Sequence, residues 1–343
     1  MVIRSKAPLR LGLAGGGTDV APYSDLYGGA VLNATISLYA YATIIPRNDD
    51  QIIMVSENDR QVQQHIAGSP LIADGSFVLH KGVYNKILRS FRKYAQKGFE
   101  LYTYVDAPPG SGLGTSSTLT VAILGAFAEW LQLPLGEYDM AHSAYEIERE
   151  DLAMAGGKQD QYAATFGGVN FMEFGRNKNV IVNPLRIRNN YLNELSHNLV
   201  LYYTETSRLS SQIIAAQAQN VTNNSKAPIE AMHHLKRQAV MMKEAVLKGD
   251  LDGIGSILDF GWRYKKQMTD NISNSNIDNL YDAAIRAGAT GGKISGAGGG
   301  GFMLFYCPSI TRTGVIEALK QYGGYATRYE FVDKGVVTWT IKS

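Results

Sequence analysis

The chain's 343 residues, 45% of them hydrophobic, are enough for two domains with substantial cores, and a formal net charge of +2 excludes a nucleic-acid binder that works by neutralising phosphates. One cysteine, Cys307, cannot close an internal disulfide and reads as a buried thiol in an apolar strand. Arg4, Lys6 and Arg10 interrupt the first residues where a signal peptide needs an apolar stretch, and the longest apolar run, 119–135, is broken by Glu129, so a cytoplasmic enzyme with no nucleic-acid or membrane partner is expected.

In chain order, residues 3–13, 31–46 and 51–55 read as strands from their β-branched and tyrosine content. Helical patterns follow at 81–97, 116–131 and 135–154, the last ending before Gly156. Strand-like runs return at 167–174 and 199–203. Beyond Thr204 helices dominate, at 209–219, 228–248, 251–268 and 277–287; a strand at 302–306, a helix at 311–322 and a closing strand pair complete the chain. This change of character puts a domain boundary near Leu195, with an N-terminal domain expected over 1–195 and a C-terminal domain over 196–343.

Three glycine-rich segments stand far apart: GLAGGGTD at 12–19, PPGSGLGTSS at 108–117 and KISGAGGGG at 293–301. Glycine loses more conformational freedom on folding than any other residue, and close backbone approach to a polyanion gives three such clusters a reason. The middle segment follows a strand-like run, 101–108, and opens onto the apolar helical pattern at 116–131. It therefore sits at a helix N-terminus, where free N–H groups and the positive end of the dipole hold phosphate oxygens without a basic side chain. Thr115, Ser116 and Ser117 add hydroxyls that can cap the helix or reach a metal. One such loop alone is equally an ordinary capped turn; three together point to a nucleotide enzyme. The loop is not a Walker A motif, because no lysine followed by Ser or Thr comes after its glycines. Gly296, Gly298 and Gly301 match GxGxxG, but a strand-like run follows them, and the Asp259-Phe260-Gly261 triplet lacks the other protein-kinase motifs. A dinucleotide fold and a protein kinase are both excluded.

Taken with APLRLGLAGGGTD at 7–19 and KISGAGGGG, the PPGSGLGTSS loop resembles the three-motif signature of the GHMP small-molecule kinases, in family order and spacing across almost the whole chain. The resemblance implies an α+β, two-domain fold: an N-terminal domain like domain 2 of ribosomal protein S5 and a ferredoxin-like C-terminal domain, with ATP and sugar in the cleft between them. Within the family, GGGTDVAPY at 15–23 and GGKQDQYAATFGGVNF at 156–171 look most like the D-glycero-D-manno-heptose 7-phosphate kinases, with the fucokinases as near relatives. The implied reaction is transfer from ATP, with Mg2+, to the anomeric hydroxyl of that small-molecule sugar phosphate, giving the 1,7-bisphosphate for nucleotide-activated heptose and bacterial surface polysaccharide. An L-fucokinase or another sugar 1-kinase is the alternative. A non-catalytic sugar sensor on the same fold is a further one, against which the presence of Arg10, Glu148 and Asp160 argues.

Phosphoryl transfer needs a positioned hydroxyl, a group to take its proton and positive charge around the moving phosphoryl group. Asp160, in GGKQDQYAATFGG, resembles the family's catalytic aspartate and is the expected base; Arg10 stands where the family carries a basic residue and can pair with it. The nucleotide phosphates are expected along Pro109, Gly110, Ser111, Gly112, Leu113, Gly114, Thr115, Ser116 and Ser117. Glu148, in YEIERED, matches the family's magnesium-binding glutamate although it lies one position farther from the aspartate than in mevalonate kinases, and Ser116 is the matching hydroxyl ligand. Glu146 and Glu150, at helical spacing from it, point elsewhere, and the histidines have no metal-ligand spacing. The family places Gly17, Thr18 and Asp19 at the acceptor, with Gly298 and Gly299 of the third segment; Tyr23 serves equally as a packing residue. A phosphate already on the acceptor needs a cation, for which Arg263, Lys265 and Lys266 are candidates, although helical spacing prevents all three from facing one site.

Overall fold

The computed structural model describes residues 1–91, 97–176, 179–205 and 210–342, and the structural statements that follow concern those residues. Strands β1 (Val2–Ala14) and β2 (Gly29–Pro46) form a long antiparallel pair, with the short helix α1 (Tyr23–Tyr27) in their connection. A hairpin of β3 (Gln51–Ser56) and β4 (Gln61–Ile66) follows; after α2 (Val78–Ser90), β5 (Phe99–Val105) enters between β2 and β3. Helices α3 (Thr115–Leu131) and α4 (Glu137–Glu146), a π-helical turn (Ile147–Asp151) and α5 (Gln159–Phe166) lead to β6 (Val169–Phe174) and β7 (Val180–Pro184). Strand β2, at 18 residues, is long enough to pair with β6 at its start and with β5 at its end.

The chain continues through α6 (Asn189–Asn198), β8 (Leu199–Tyr203), α7 (Ser210–Thr222), α8 (Lys226–Lys248), α9 (Gly253–Lys265) and α10 (Ser275–Arg286). It ends with β9 (Gly291–Ile294), β10 (Phe302–Tyr306), α11 (Thr311–Lys320), β11 (Tyr325–Thr327) and β12 (Val337–Ile341). The first sheet runs β12-β1-β2-β5-β3-β4 with β6 and β7 branching from β2, and the second runs β11-β8-β10-β9.

Packing follows from which strands are apolar on both faces. Helix α3 buries a nearly continuous stretch from Val121 to Phe127 against Ile3, Ala42 and Leu101 of the first sheet. Leu9, Leu11 and Leu13 of β1 sit in a second core with Leu201, Leu304 and Met242 from β8, β10 and α8, so one hydrophobic layer joins the two sheets. Each such side chain contributes about 1.5–3 kcal/mol by burial, which holds the edges of the cleft at a set separation.

Several expectations are corrected. The pattern at 135–154 is two elements, because the α-helix gives way at Ile147 to a π-helical turn. Strands β4, β7 and β9 and helices α1, α5 and α6 add to the expected set. They are short, and β4 is a largely exposed polar edge (QVQQHI), so neither length nor apolar periodicity marks them. The closing strands do not pair with each other: β11 joins β8, whereas β12 returns to β1. Residues 337–341, assigned by sequence to the second unit, therefore complete the first sheet. Of the expected helices, 92–96 and residue 209 lie outside the described residues.

Candidate active site

A cleft of about 320 Å³ lies where the glycine segments converge. One wall is the loop between β5 and α3. Gly112 and Gly114, the latter capping α3, have φ of 81° and 80°, where any side chain is strained. A Cβ on Gly112 would stand 2.5 Å from the Ser295 carbonyl oxygen, and one on Gly114 would stand 3.2 Å from Asp160 Cγ. The helical ladder starts with Thr118 N donating to Gly114 O at 2.9 Å, which leaves the N–H groups of Thr115, Ser116 and Ser117 without intrahelical partners.

Arg10 links this loop to the base candidate. The β1–β2 register shifts between Pro8 and Arg10, and the Arg10 backbone N–H turns to Leu113 O at 3.1 Å. Its buried guanidinium donates from Nη1 to Gly112 O at 2.6 Å and from Nε to Asp160 Oδ1 at 2.8 Å, with Nη2 2.7 Å from the same carboxylate oxygen. Asp160 occupies the first turn of α5, the favourable end of the helix dipole for a carboxylate.

Glu148 lies in the π-helical turn, closed by Leu152 N donating to Ile147 O at 3.0 Å, and it is fully buried. A π turn takes one more residue than an α turn. Ser116 Oγ donates to Glu148 Oε1 at 2.9 Å, and Arg149 Nη1 stands 3.9 Å from that oxygen. Gln161, which sequence reasoning missed, donates from Nε2 to both Glu148 Oε2 and Ser117 Oγ. Ser116 and Glu148 thus present hard oxygen donors beside the α3 N-terminus, a donor set that suits magnesium. Among the described residues no group of three or more His, Cys, Asp and Glu side chains gathers to hold a metal.

Asp19, from the first glycine segment, is buried and heavily engaged. Its Oδ2 accepts from Lys158 N at 3.0 Å and Gln159 N at 3.1 Å, and its Oδ1 from Gly17 N at 3.2 Å and Gln159 Nε2 at 3.3 Å. Asp19 therefore caps the helix that carries Asp160. Lys265 of α9 is buried and lines the cleft; burial lowers its pKa to about 8, with Asp19 opposing that shift and Arg10 adding to it. Lys293 lies behind the β1 wall and donates to Gly12 O at 2.6 Å; burial, then Lys265 and Arg10, lower its pKa to about 7. Of the basic trio on α9, Arg263 turns outward to Asp259, and Lys266 pairs with Asp278.

Arg10, Gly17, Asp19, Glu148 and Asp160 come together in the cleft with Gly110, Gly112, Gly114, Thr115, Ser116 and Ser117. Pro109, Ser111, Leu113, Thr18, Gly298 and Gly299 do not line it. Thr18 is fully buried, with its Oγ1 within hydrogen-bond reach of Gly15 O at 2.8 Å and Ala30 O at 2.9 Å, and it holds the loop rather than facing a ligand. Gly298 packs on Ile272, and Gly299 N donates to Ile272 O at 2.9 Å; Gly296 and Ala297 form that wall. Tyr23 is core, its hydroxyl 2.8 Å from His233 Nδ1.

The sequence matches the GHMP kinases N terminal domain over residues 79–168 and the GHMP kinases C terminal over 242–324. It is 48% identical, over 99% of both chains, to a D-glycero-alpha-D-manno-heptose 7-phosphate kinase from Campylobacter jejuni. A solved structure titled a D-glycero-D-manno-heptose 1-phosphate kinase, from Bacteroides thetaiotaomicron, superposes with a TM-score of 0.85 at 45% identity, covering 99% of this chain and 100% of that one. Similarity to an L-fucokinase/L-fucose-1-P guanylyltransferase from Bacteroides fragilis is weaker, 27% over 88% of this chain and 34% of that protein. With both domain matches and a full-length relative near half identity, and with a cleft built from all three glycine segments, the chain belongs to the GHMP kinases.

Proposed function

We propose that this GHMP kinase transfers the terminal phosphoryl group of ATP to the anomeric hydroxyl of D-glycero-D-manno-heptose 7-phosphate, giving the 1,7-bisphosphate. The observation that carries the chemistry is the Arg10 bridge, in which one guanidinium holds the phosphate loop at Gly112 O and the Asp160 carboxylate at Oδ1. The names of the relatives near half identity carry the substrate. Both Arg10 contacts to Asp160 fall on Oδ1, so Oδ2 is the oxygen to receive the acceptor proton. The α3 N-terminus and its flanking glycines bind the nucleotide phosphates through backbone N–H groups. Arg10 faces the charge that moves between donor and acceptor. Ser116 and Glu148 would hold magnesium, which would supply charge neutralisation at the phosphate oxygens. Asp19 orients Asp160 by fixing the first N–H groups at the start of α5.

The two heptose relatives are named for different phosphates, the 7-phosphate and the 1-phosphate. Phosphorus NMR of parallel reactions with ATP and magnesium separates them. The 7-phosphate should turn over and the 1-phosphate, the unphosphorylated heptose and L-fucose should lag by about 100-fold or more in kcat/KM, since charge-assisted hydrogen bonds to a phosphate are each worth about 1.5–3 kcal/mol. Faster turnover of the 1-phosphate reassigns the reacting hydroxyl; a best rate with L-fucose leaves only a sugar kinase.

A further inference from the structure

The acceptor end of the cleft contains two buried donors with spare capacity. Gln217 of α7 is 1% exposed and lines the cleft, and its Nε2 has no hydrogen-bond partner among the described residues. Lys265 of α9 is 4% exposed, and its Nζ donates to Gly16 O at 3.1 Å, which leaves two of its three protons. Among the described residues no carboxylate lies within ion-pairing distance of that ammonium, although it is desolvated; Arg10, Asp160 and Glu148, by contrast, have charged neighbours. The two tips meet at Gly17. A Cβ there would stand 3.3 Å from Lys265 Nζ and 3.5 Å from Gln217 Oε1, and the φ of 104° at this position keeps side chains out. The glycine leaves a corner bounded by an ammonium, the Gln217 amide oxygen and the Met268 methyl, whose Cε a Cβ would meet at 2.7 Å.

With the Gln217 amide turned about its Cγ–Cδ bond so that Nε2 takes the place of Oε1, such a corner is matched to a group that only accepts hydrogen bonds. A sugar hydroxyl both donates and accepts, and gains little from a buried ammonium. A phosphate monoester carries nearly two negative charges and three acceptor oxygens, and it would satisfy the orphaned Gln217 amide and compensate the desolvated Lys265 charge together. We propose that Lys265 and Gln217 hold the phosphate that the acceptor already bears, and so determine the preference for phosphorylated over neutral sugars. This rests on reading the cleft as that of a sugar-phosphate kinase. It divides the labour among cations, with Arg10 serving the phosphoryl group in transfer and Lys265 the one that stays.

The test is the ratio of kcat/KM for heptose 7-phosphate, or for the 1-phosphate if that is the better acceptor, to kcat/KM for the unphosphorylated heptose. It is measured at fixed ATP and magnesium in the wild type, Lys265→Met, Lys265→Arg and Gln217→Glu. Lys265→Met should lower the ratio by about 10- to 100-fold, the worth of one charged hydrogen bond, and Lys265→Arg should restore part of it. Gln217→Glu is nearly isosteric and places a like charge at the corner; it should lower the ratio by about 10-fold or more, and it keeps the test alive if Lys265→Met does not fold. If the variants slow both acceptors by one common factor, Lys265 acts on the transferred group or on the glycine loop, and the assignment is overturned. A wild type that strongly prefers the phosphorylated acceptor, with variants that keep that preference, overturns this assignment alone. A wild type with no preference for either monoester overturns the sugar-phosphate reading as well.

Discussion

Arg10 makes three side-chain contacts, to Gly112 O and twice to Asp160 Oδ1, from one planar fork. A lysine has the charge but cannot span both groups. Arg10→Lys should therefore reduce kcat about 10-fold or more while the protein stays folded, and steady-state kinetics with circular dichroism tests this; unchanged kcat would remove Arg10 from the transfer step. Asp160→Asn keeps the size of the side chain and removes the proton acceptor. Turnover should fall by about 100-fold or more with ATP affinity little altered. A folded Asp160→Asn enzyme with near-normal turnover would dismiss Asp160 as the base. Arg10 and Asp160 were legible in the sequence because both lie inside motifs. Gln161, directly after Asp160, was not: a glutamine gains a role only when the turn of α5 aims it at Glu148 and Ser117.

At the level of elements, two local structures set the geometry of the cleft. The first is the glycine turn into α3, where Gly114 combines a left-handed backbone with close approach to Asp160. Gly114→Val should abolish ATP binding before it affects acceptor binding, and calorimetry showing unaltered ATP affinity would refute the phosphate-loop assignment. The second is the start of α5, whose Lys158 and Gln159 N–H groups are held by Asp19 from a different glycine segment. Asp19→Asn replaces a charged acceptor with a neutral one at a helix N-terminus, so stability should drop by about 1–2 kcal/mol. Asp160 would lose its fixed orientation, so kcat should fall more than KM rises. A variant whose only defect is a raised acceptor KM would show Asp19 to be a direct sugar ligand, as the motif alone suggested. The π-helical turn at Ile147–Asp151 shows why spacing by itself was ambiguous.

Across the whole molecule, the second sheet and its helices grip the N-terminal glycine segment. Gln238 accepts from Gly15 N at 3.1 Å, Lys265 donates to Gly16 O, and Lys293 donates to Gly12 O. The two buried lysines carry a pH signature. Their pKa values are lowered in the fold to about 7 and about 8, whereas in the unfolded chain a lysine keeps its proton to about pH 10.4. Between these limits the unfolded chain binds more protons, so the destabilisation from burying charge is fully present below about pH 7 and is relieved as pH rises. Each lysine that is neutral in the fold adds a slope of about 1.4 kcal/mol per pH unit. The stability difference between Lys293→Met and the wild type should accordingly shift by about 2 kcal/mol between pH 7.5 and 9.5, in favour of the wild type at the higher pH. A difference that stays flat in urea melts across this window would show that Lys293 remains charged.

The sequence by itself determined the family and marked the three glycine segments and the candidates Arg10, Glu148 and Asp160, because backbone approach to phosphate restricts local residue choice so strongly that the motifs stay readable out of context. It also marked the long strands and helices, whose apolar periodicity is a local property. Tertiary structure alone decided the rest. It returned β12 to the first sheet, turned Lys265 inward while Arg263 and Lys266 stayed outside, and committed Asp19 to the start of α5. It also withdrew Thr18, Gly298 and Gly299 from the cleft lining. Each of these outcomes depends on which distant segments pack together, and burial, charge pairing and orphaned donors exist only once that packing is made.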